Sequence, residues 1–317
     1  MITRRIALLG LATPSLTTPN LARAQESRGG RIIVPYGPGG SSDLVARLMA
    51  QHAGNWVVEN RGGGASIPGT QAVAIAPPDG SVLGTADNAL VVNQALSKER
   101  MPYQAGREIV GIGLAVTAPL LLLAHPPAPA RHVQDVLAEA FRTPGGLSLS
   151  HGGIGTPTHL ASLQFQFASG AEITQVGYRG GGPQLTGLVS GEVRYGFVAI
   201  SSAFAHVQGG RLRPLAISGP VRSPQMPDVP TITEAGLPGV DVVGWWGFIA
   251  PGGTPPALRE RLHAQMVAPA REPALRARLE GLGYTVVASS PAEYDAQVQR
   301  EIVTWTEIFD KAGVKPE

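Results

Sequence analysis

The sequence predicts an α/β fold of two lobes separated by a cleft, and three observations lead there. A chain of 317 residues suffices for about two domains with substantial cores. Apolar runs of strand length alternate with helix-period patterns almost throughout, which implies largely parallel sheets covered by helices on both faces. The composition agrees: 43% of residues are apolar and only 15% charged, with 41 glycines and 28 prolines. Such a chain is ordered and rich in short elements joined by tight turns.

Residues 1–24 read as a cleavable signal peptide. Arg4 and Arg5 form a basic start, Ile6 to Ala12 a short apolar stretch, and Ala22-Arg23-Ala24 an A-x-A cleavage site. Thr3-Arg4-Arg5 leaves general and twin-arginine export both open, and either leads to the periplasm. No other segment could span a bilayer; Leu114 to Ala124 is too short and contains Pro119. The first strand is expected at Arg31 to Pro35 and the first helix at about Ser42 to Ala53, with Leu44, Val45, Leu48 and Met49 on one face. Further strands are expected over 82–86, 120–124, 147–151, 173–177, 195–199, 212–218 and 242–250, with helices between them. In the last helix, Ser290 and Glu293 form a capping box around Pro291. Tyr294, Val298, Ile302, Trp305 and Phe309 then repeat at helical spacing as a core stripe, and Gly313 suits a stop. The Pro-rich segment His125 to Pro129 and the stretch Gly236 to Val243 are candidate crossovers. They divide the chain into lobe I (25–125 plus 245–317) and an inserted lobe II (126–244), and ligand sites favour such an interface.

Charge excludes one class of partner. The formal net charge is +2, but the first 24 residues carry three arginines and no acid, so the remainder is near −1. No run of Lys or Arg follows, which leaves no phosphate-tracking stripe and no nucleic-acid partner. The chain has no cysteine, hence no disulfide, thiol nucleophile or thiolate metal site. No P-loop, G-x-S-x-G or H-E-x-x-H pattern is present. Lysine occurs only at 98, 311 and 315, none beside a glycine-rich loop, which argues against Schiff-base chemistry. No metal and no organic cofactor are expected.

Three segments share one design: a strand, glycines with neighbouring polar residues, then a helix. They are Tyr36-Gly37-Pro38-Gly39-Gly40-Ser41-Ser42-Asp43, Gly152-Gly153-Ile154-Gly155-Thr156-Pro157-Thr158-His159 and Tyr178-Arg179-Gly180-Gly181-Gly182-Pro183. Glycine lets backbone N–H groups approach a ligand, and the first helical turn leaves several of them unpaired in a field that favours an anion. Two such starts facing one cleft make a carboxylate clamp. In the second segment Thr156 is the expected N-cap, with Leu160, Leu163 and Phe167 as the buried face. Asp43 is expected to serve the local amides of its own turn. His151 and His159 are expected to be hydrogen-bonded structural histidines, and Trp245-Trp246 to be packing, with a cleft wall as its alternative.

The order Val34-Pro35-Tyr36-Gly37-Pro38-Gly39-Gly40-Ser41-Ser42-Asp43, Val58-Glu59-Asn60-Arg61 and Ala76-Pro77-Pro78-Asp79-Gly80 resembles the Bug family of solute-binding proteins. These proteins serve tripartite tricarboxylate transporters. Gly155-Thr156-Pro157-Thr158-His159, Tyr178-Arg179-Gly180-Gly181, Pro227-Asp228-Val229-Pro230-Thr231 and Ala250-Pro251-Gly252-Gly253-Thr254-Pro255 continue the likeness. The resemblance implies a two-lobed periplasmic-binding-protein fold, type II-like, that closes on a small carboxylate: a di- or tricarboxylate, an acidic amino acid or an aromatic acid. It implies a monomer, no catalysis and the membrane components of such a transporter as partners. Carried over by position, Gly39, Gly40, Ser41, Ser42 and Asp43 with Gly155, Thr156, Thr158 and His159 would hold the carboxylate. Tyr36 and Tyr178 would flank it, and Asp87, Ser150, Ala199 and Ser201 complete the expected site.

Two departures stand out. Arg194 follows Gly191-Glu192-Val193, where the family usually has an acid, and Val198-Ala199 stands where it often has Asp-Asn. The second removes a partner for a ligand ammonium, so a carboxylate without an amino group is expected, its apolar body on Val198 or Ala199. Two rivals remain open on sequence alone: a sensor that reports to a signalling receptor, and an exported hydrolase or isomerase using Asp43 and His159 as an acid–base pair.

Overall fold

The structure, a computed structural model, describes residues 29–97 and 100–312. The signal-peptide reading, Lys98 and Gly313 lie outside the described residues. In chain order the elements of the first part are β1 (Arg31–Val34), α1 (Ser41–Ala53), β2 (Val57–Asn60), α2 (Ile67–Ala74), β3 (Val82–Ala86), α3 (Asn88–Leu96) and β4 (Ile109–Ala124). The middle contains α4 (Val133–Arg142), β5 (Leu147–His151), α5 (Pro157–Ser169), β6 (Ile173–Gly177), α6 (Gly181–Ser190), β7 (Tyr195–Ala199), α7 (Ile200–Gln208) and β8 (Arg213–Ile217). The chain then returns through β9 (Val243–Pro251), α8 (Pro256–Met266), α9 (Pro273–Gly281), β10 (Thr285–Val286) and α10 (Pro291–Ala312).

Each lobe has a parallel core: β2-β1-β3 in the first and β6-β5-β7 in the second. The inner strands β1, β3 and β7 are short and largely buried, which is why they appear in the sequence as plain apolar runs, whereas the edge strands β2 and β6 are partly exposed. The strands that join the lobes run antiparallel instead. β9 pairs with β3 and with the first part of β4, whereas the last part of β4 pairs with β7 and β8. The expectation of largely parallel sheets therefore holds for each core and fails for the seam.

β4 also departs from expectation in length. The sequence reading confined it to 120–124, but it begins at Ile109 and serves both sheets. Gly111, Gly113 and Pro119 interrupt the apolar pattern there, and the register with β9 shifts at Gly111/Gly113 and again at Leu114/Val116, as bulged strands allow. Partners change between Pro119, opposite Val243, and Leu120, opposite Ala199. At that switch Ser218 Oγ accepts the Leu120 amide at 2.9 Å.

The closing helix follows its capping box: the Ser290 amide donates to Glu293 Oε2 at 2.8 Å and the Glu293 amide to Ser290 Oγ at 3.3 Å. Tyr294 and Val298 are buried, with Ile302, Trp305 and Phe309 packed partly against the same core. In α5 the buried face differs from expectation. Leu160 is buried, but Phe167 is 78% exposed and Phe165 takes the core position, edge-on to Phe197.

Candidate functional site

Five helices begin around one cavity between the lobes. Ser41 and Ser42 at the start of α1, Asp87 before α3, Thr156, Pro157 and Thr158 at α5, Gly181 at α6, and Ala199 and Ser202 at α7 all line it. Tyr36, Gly40, Gly152, Val198 and Trp246 complete the wall, and the cavity volume is about 40 Å³. By the measure of one sphere per water, that is room for roughly three waters, so the lobes are shut. Direct contacts hold them: the Gly37 amide donates to Arg179 O at 2.9 Å, and Ser41 Oγ lies 2.8 Å from Ser201 Oγ and 3.0 Å from Ser202 Oγ. Gly155 fits against Ala89 and Asn93 of α3 with a φ of +75° that a β-carbon would strain.

The five starts are finished in two ways. At α1, α6 and α7 the N-cap residues are Gly40, Gly180 and Ala199, with no side-chain cap. Their first-turn amides lack intrahelical partners, and dipole and geometry together suit an anion. At α5 the amide of His159 donates to Thr156 Oγ1 at 3.4 Å and the Gly152 amide to Thr158 Oγ1 at 2.8 Å. At α3 the Ala89 amide donates to Asp87 Oδ1 at 3.0 Å.

The expected site residues separate accordingly. Tyr36, Gly40, Ser41, Ser42, Asp87, Thr156, Thr158 and Ala199 meet at the cavity. Gly39 and Asp43 support it from behind. Asp43 Oδ2 accepts the Gly39 amide and Arg47 Nε, both at 2.9 Å, and Oδ1 accepts Asn60 Nδ2 at 2.8 Å. Burial alone would raise the Asp43 carboxyl, but those three donors outweigh it and hold it below 3.8. Ser150 is fully buried under the floor, where Gln184 Nε2 donates to its carbonyl at 2.8 Å. Gly155 lies in the interlobe contact, and Ser201 in the serine bridge.

His159 and Tyr178 are turned away from the cavity. The His159 ring packs on His151 with centroids 4.3 Å apart, and its Nδ1 accepts the Gly155 amide at 3.2 Å. Burial, then the neighbouring His151, pushes His159 down to about 3, so the ring is neutral and architectural. The Tyr178 ring instead fills the space that Gly187 leaves on α6. Neither member of the supposed acid–base pair lines the cavity.

Three wall features were weakly legible in the sequence. Trp246 forms a wall, held edge-on by Tyr284 at 5.8 Å, while Tyr284 OH donates to Ser41 O at 3.0 Å. Ser202 follows a strand with no glycine signal. Asp87, expected at the site by position, supplies an acid from lobe I, whereas Val198-Ala199 supplies none from lobe II. Tyr36 OH donates to Asp87 Oδ1 at 2.8 Å. Burial is the main reason that the Asp87 carboxyl is raised to about 6 and that the Tyr36 phenol is raised as well.

Two α/β lobes shut over a ring of helix starts define a solute receptor of the periplasmic-binding-protein type. Comparison with known proteins places it more closely. The family described as "Tripartite tricarboxylate transporter family receptor" matches residues 43–314. A "UPF0065 protein in tcbD-tcbE intergenic region" from Pseudomonas sp. is 34% identical, over 97% of this chain and 94% of the relative. The periplasmic binding protein BugD superposes with a TM-score of 0.86 at 28% identity, covering 92% of this chain and 99% of BugD. MatC from Rhodopseudomonas palustris with bound malate gives 0.82 at 30% identity, covering 89% and 99%. An R. palustris protein with adipate gives 0.85 at 27%, covering 92% and 99%. The chain belongs to the tripartite tricarboxylate transporter receptor family, the Bug family that its motifs resemble.

Proposed function

We propose that this protein captures a small carboxylate in the periplasm, after export by its signal peptide, and delivers it without chemical change to the membrane components of a tripartite tricarboxylate transporter. The observation that carries the reading is the ring of helix starts, three of them uncapped, around a cavity whose lining residues include no Lys, Arg or His. An anion held there takes its hydrogen bonds from backbone amides and hydroxyls. Each charge-assisted bond contributes roughly 1.5–3 kcal/mol, so a few of them suffice for micromolar binding after the cost of closure.

Lobe I (25–125 plus 245–317) and lobe II (126–244) move about the seam where β4 and β9 cross. Contacts from both lobes to one carboxylate bias the open–closed equilibrium toward the closed form, which the transporter would recognise. Val198, Ala199 and Trp246 offer the ligand body an apolar wall. The malate and adipate bound by similar proteins support the carboxylate class. Two measurements test the reading: mass spectrometry of small molecules released from natively purified protein, and calorimetric titration of refolded protein with a panel of acids. A released or bound carboxylate is expected; a neutral or cationic ligand, with no acid bound, would sink the proposal.

A further inference from the structure

Asp87 is an acid beside an anion site, and its surroundings explain what it can do there. It lines the cavity and is 5% exposed. Its bonds from Tyr36 and from the Ala89 amide both fall on Oδ1, so Oδ2 is the oxygen left for the cavity. Capping α3 does not require a carboxylate, since Ser or Thr serves as well. A buried ionised carboxylate is costly unless a donor satisfies it. A ligand body with nothing to donate would seal Oδ2 into a dry site unpaired, and a second anion would be repelled.

We propose that Asp87 selects, among small carboxylates, those that carry a hydrogen-bond donor next to the carboxylate, a hydroxyl or an ammonium, which donates to Asp87 Oδ2. The inference rests on the carboxylate reading above and narrows it. Burial holds the Asp87 carboxyl up at about 6, so it is an ionised acceptor at pH 8 and becomes a donor as pH falls below 6. The titratable groups acting on it from neighbouring elements are Tyr36 after β1, Tyr103 after α3 and Tyr294 on α10. Burial raises all three phenols above their ordinary value, and they stay neutral across this range. Protonated Asp87 can donate to an acid that lacks a donor, so selection should weaken below pH 6.

Calorimetry on ligand-free protein at about pH 8 would use three matched sets: propionate, lactate and alanine; succinate, malate and aspartate; phenylacetate, mandelate and phenylglycine. Within any set that binds, a donor-bearing member should exceed its parent acid by at least about tenfold. Whether hydroxyl or ammonium wins identifies the donor. The gap should narrow at about pH 5.5 and shrink to within about threefold in Asp87→Ser, which keeps a capping oxygen but presents no carboxylate. Equal affinity for parent and donor-bearing acids overturns the proposal, as does a gap that survives in folded Asp87→Ser. If that variant does not fold, a wild-type gap unchanged between the two pH values overturns it. Acids binding without a gap remove only the role of Asp87. No binding in any set removes the carboxylate reading and this inference with it.

Discussion

The helix starts at α3 and α5 differ from those at α1, α6 and α7 in what satisfies their amides. Asp87 and Thr156 cap the first pair with side-chain oxygens, and such caps contribute roughly 1 kcal/mol each to stability. Gly40, Gly180 and Ala199 provide none, so the same groups are available to a ligand that brings its own oxygens. A capped start has its amides satisfied without a ligand, and on the proposed reading an uncapped one facing the closed cavity is where the anion binds. On that reading the protein forgoes helix stability at three places and would recover it when the ligand binds.

The strongest way to break this comparison is to stop the uncapped starts from meeting. A β-carbon at Gly182 would overlap the Pro38 carbonyl in the closed form, so Gly182→Val should hold the lobes apart. Losing one lobe's share of charge-assisted bonds should weaken carboxylate binding by about 100-fold or more. The melting temperature of ligand-free protein should barely change, and small-angle scattering should show an open form even with ligand.

The capped start at α5 should show its dependence through acid. His159 is neutral and pushed to about 3 in the folded protein, against about 6.5 unfolded. The unfolded chain therefore binds a proton first. Stability is full above pH 6.5 and falls as pH drops from there toward 3. Between pH 7 and pH 5 the wild type should lose about 2 kcal/mol more than His159→Gln, measured by denaturant unfolding. Equal losses would show that the ring is protonated in the fold.

Converting an open start into a capped one sharpens the contrast. Ala199→Asp places a carboxylate at the N-cap of α7, which should stabilise ligand-free protein by about 0.5–1 kcal/mol. The same carboxylate would occupy the cavity and weaken acid binding by about tenfold or more. Opposite signs in melting and titration are the expected signature. The reverse change, Thr156→Val, should cost about 1 kcal/mol of stability and change affinity less than Ala199→Asp does.

Much of the fold was legible because its parallel cores announce themselves. β5 and β6 mix apolar with polar residues and β7 is a mostly apolar run, all between helices, and their bounds match the expected 147–151, 173–177 and 195–199. β2 and the first eleven residues of β4 were not legible. Val57–Asn60 is too short and half-polar to stand out, and Gly111, Gly113 and Pro119 look like loop until two sheets share one bulged strand. At the site, glycine and hydroxyl residues pointed to α1, α5 and α6. The starts of α3 and α7 carry no glycine turn, and Asp87, Ala199 and Ser201 were expected there only through the family resemblance. Phe167 and Tyr178 mislead for one reason: apolar or aromatic character in a motif does not say which side of the helix or turn it faces.

A crystal structure with a bound acid tests the central claim most directly. The account predicts carboxylate oxygens within about 3 Å of backbone nitrogens in the first turn of α1 and of at least one of α6 and α7. A carboxylate held by an arginine or lysine side chain, or bound outside the ring of helix starts, would contradict it.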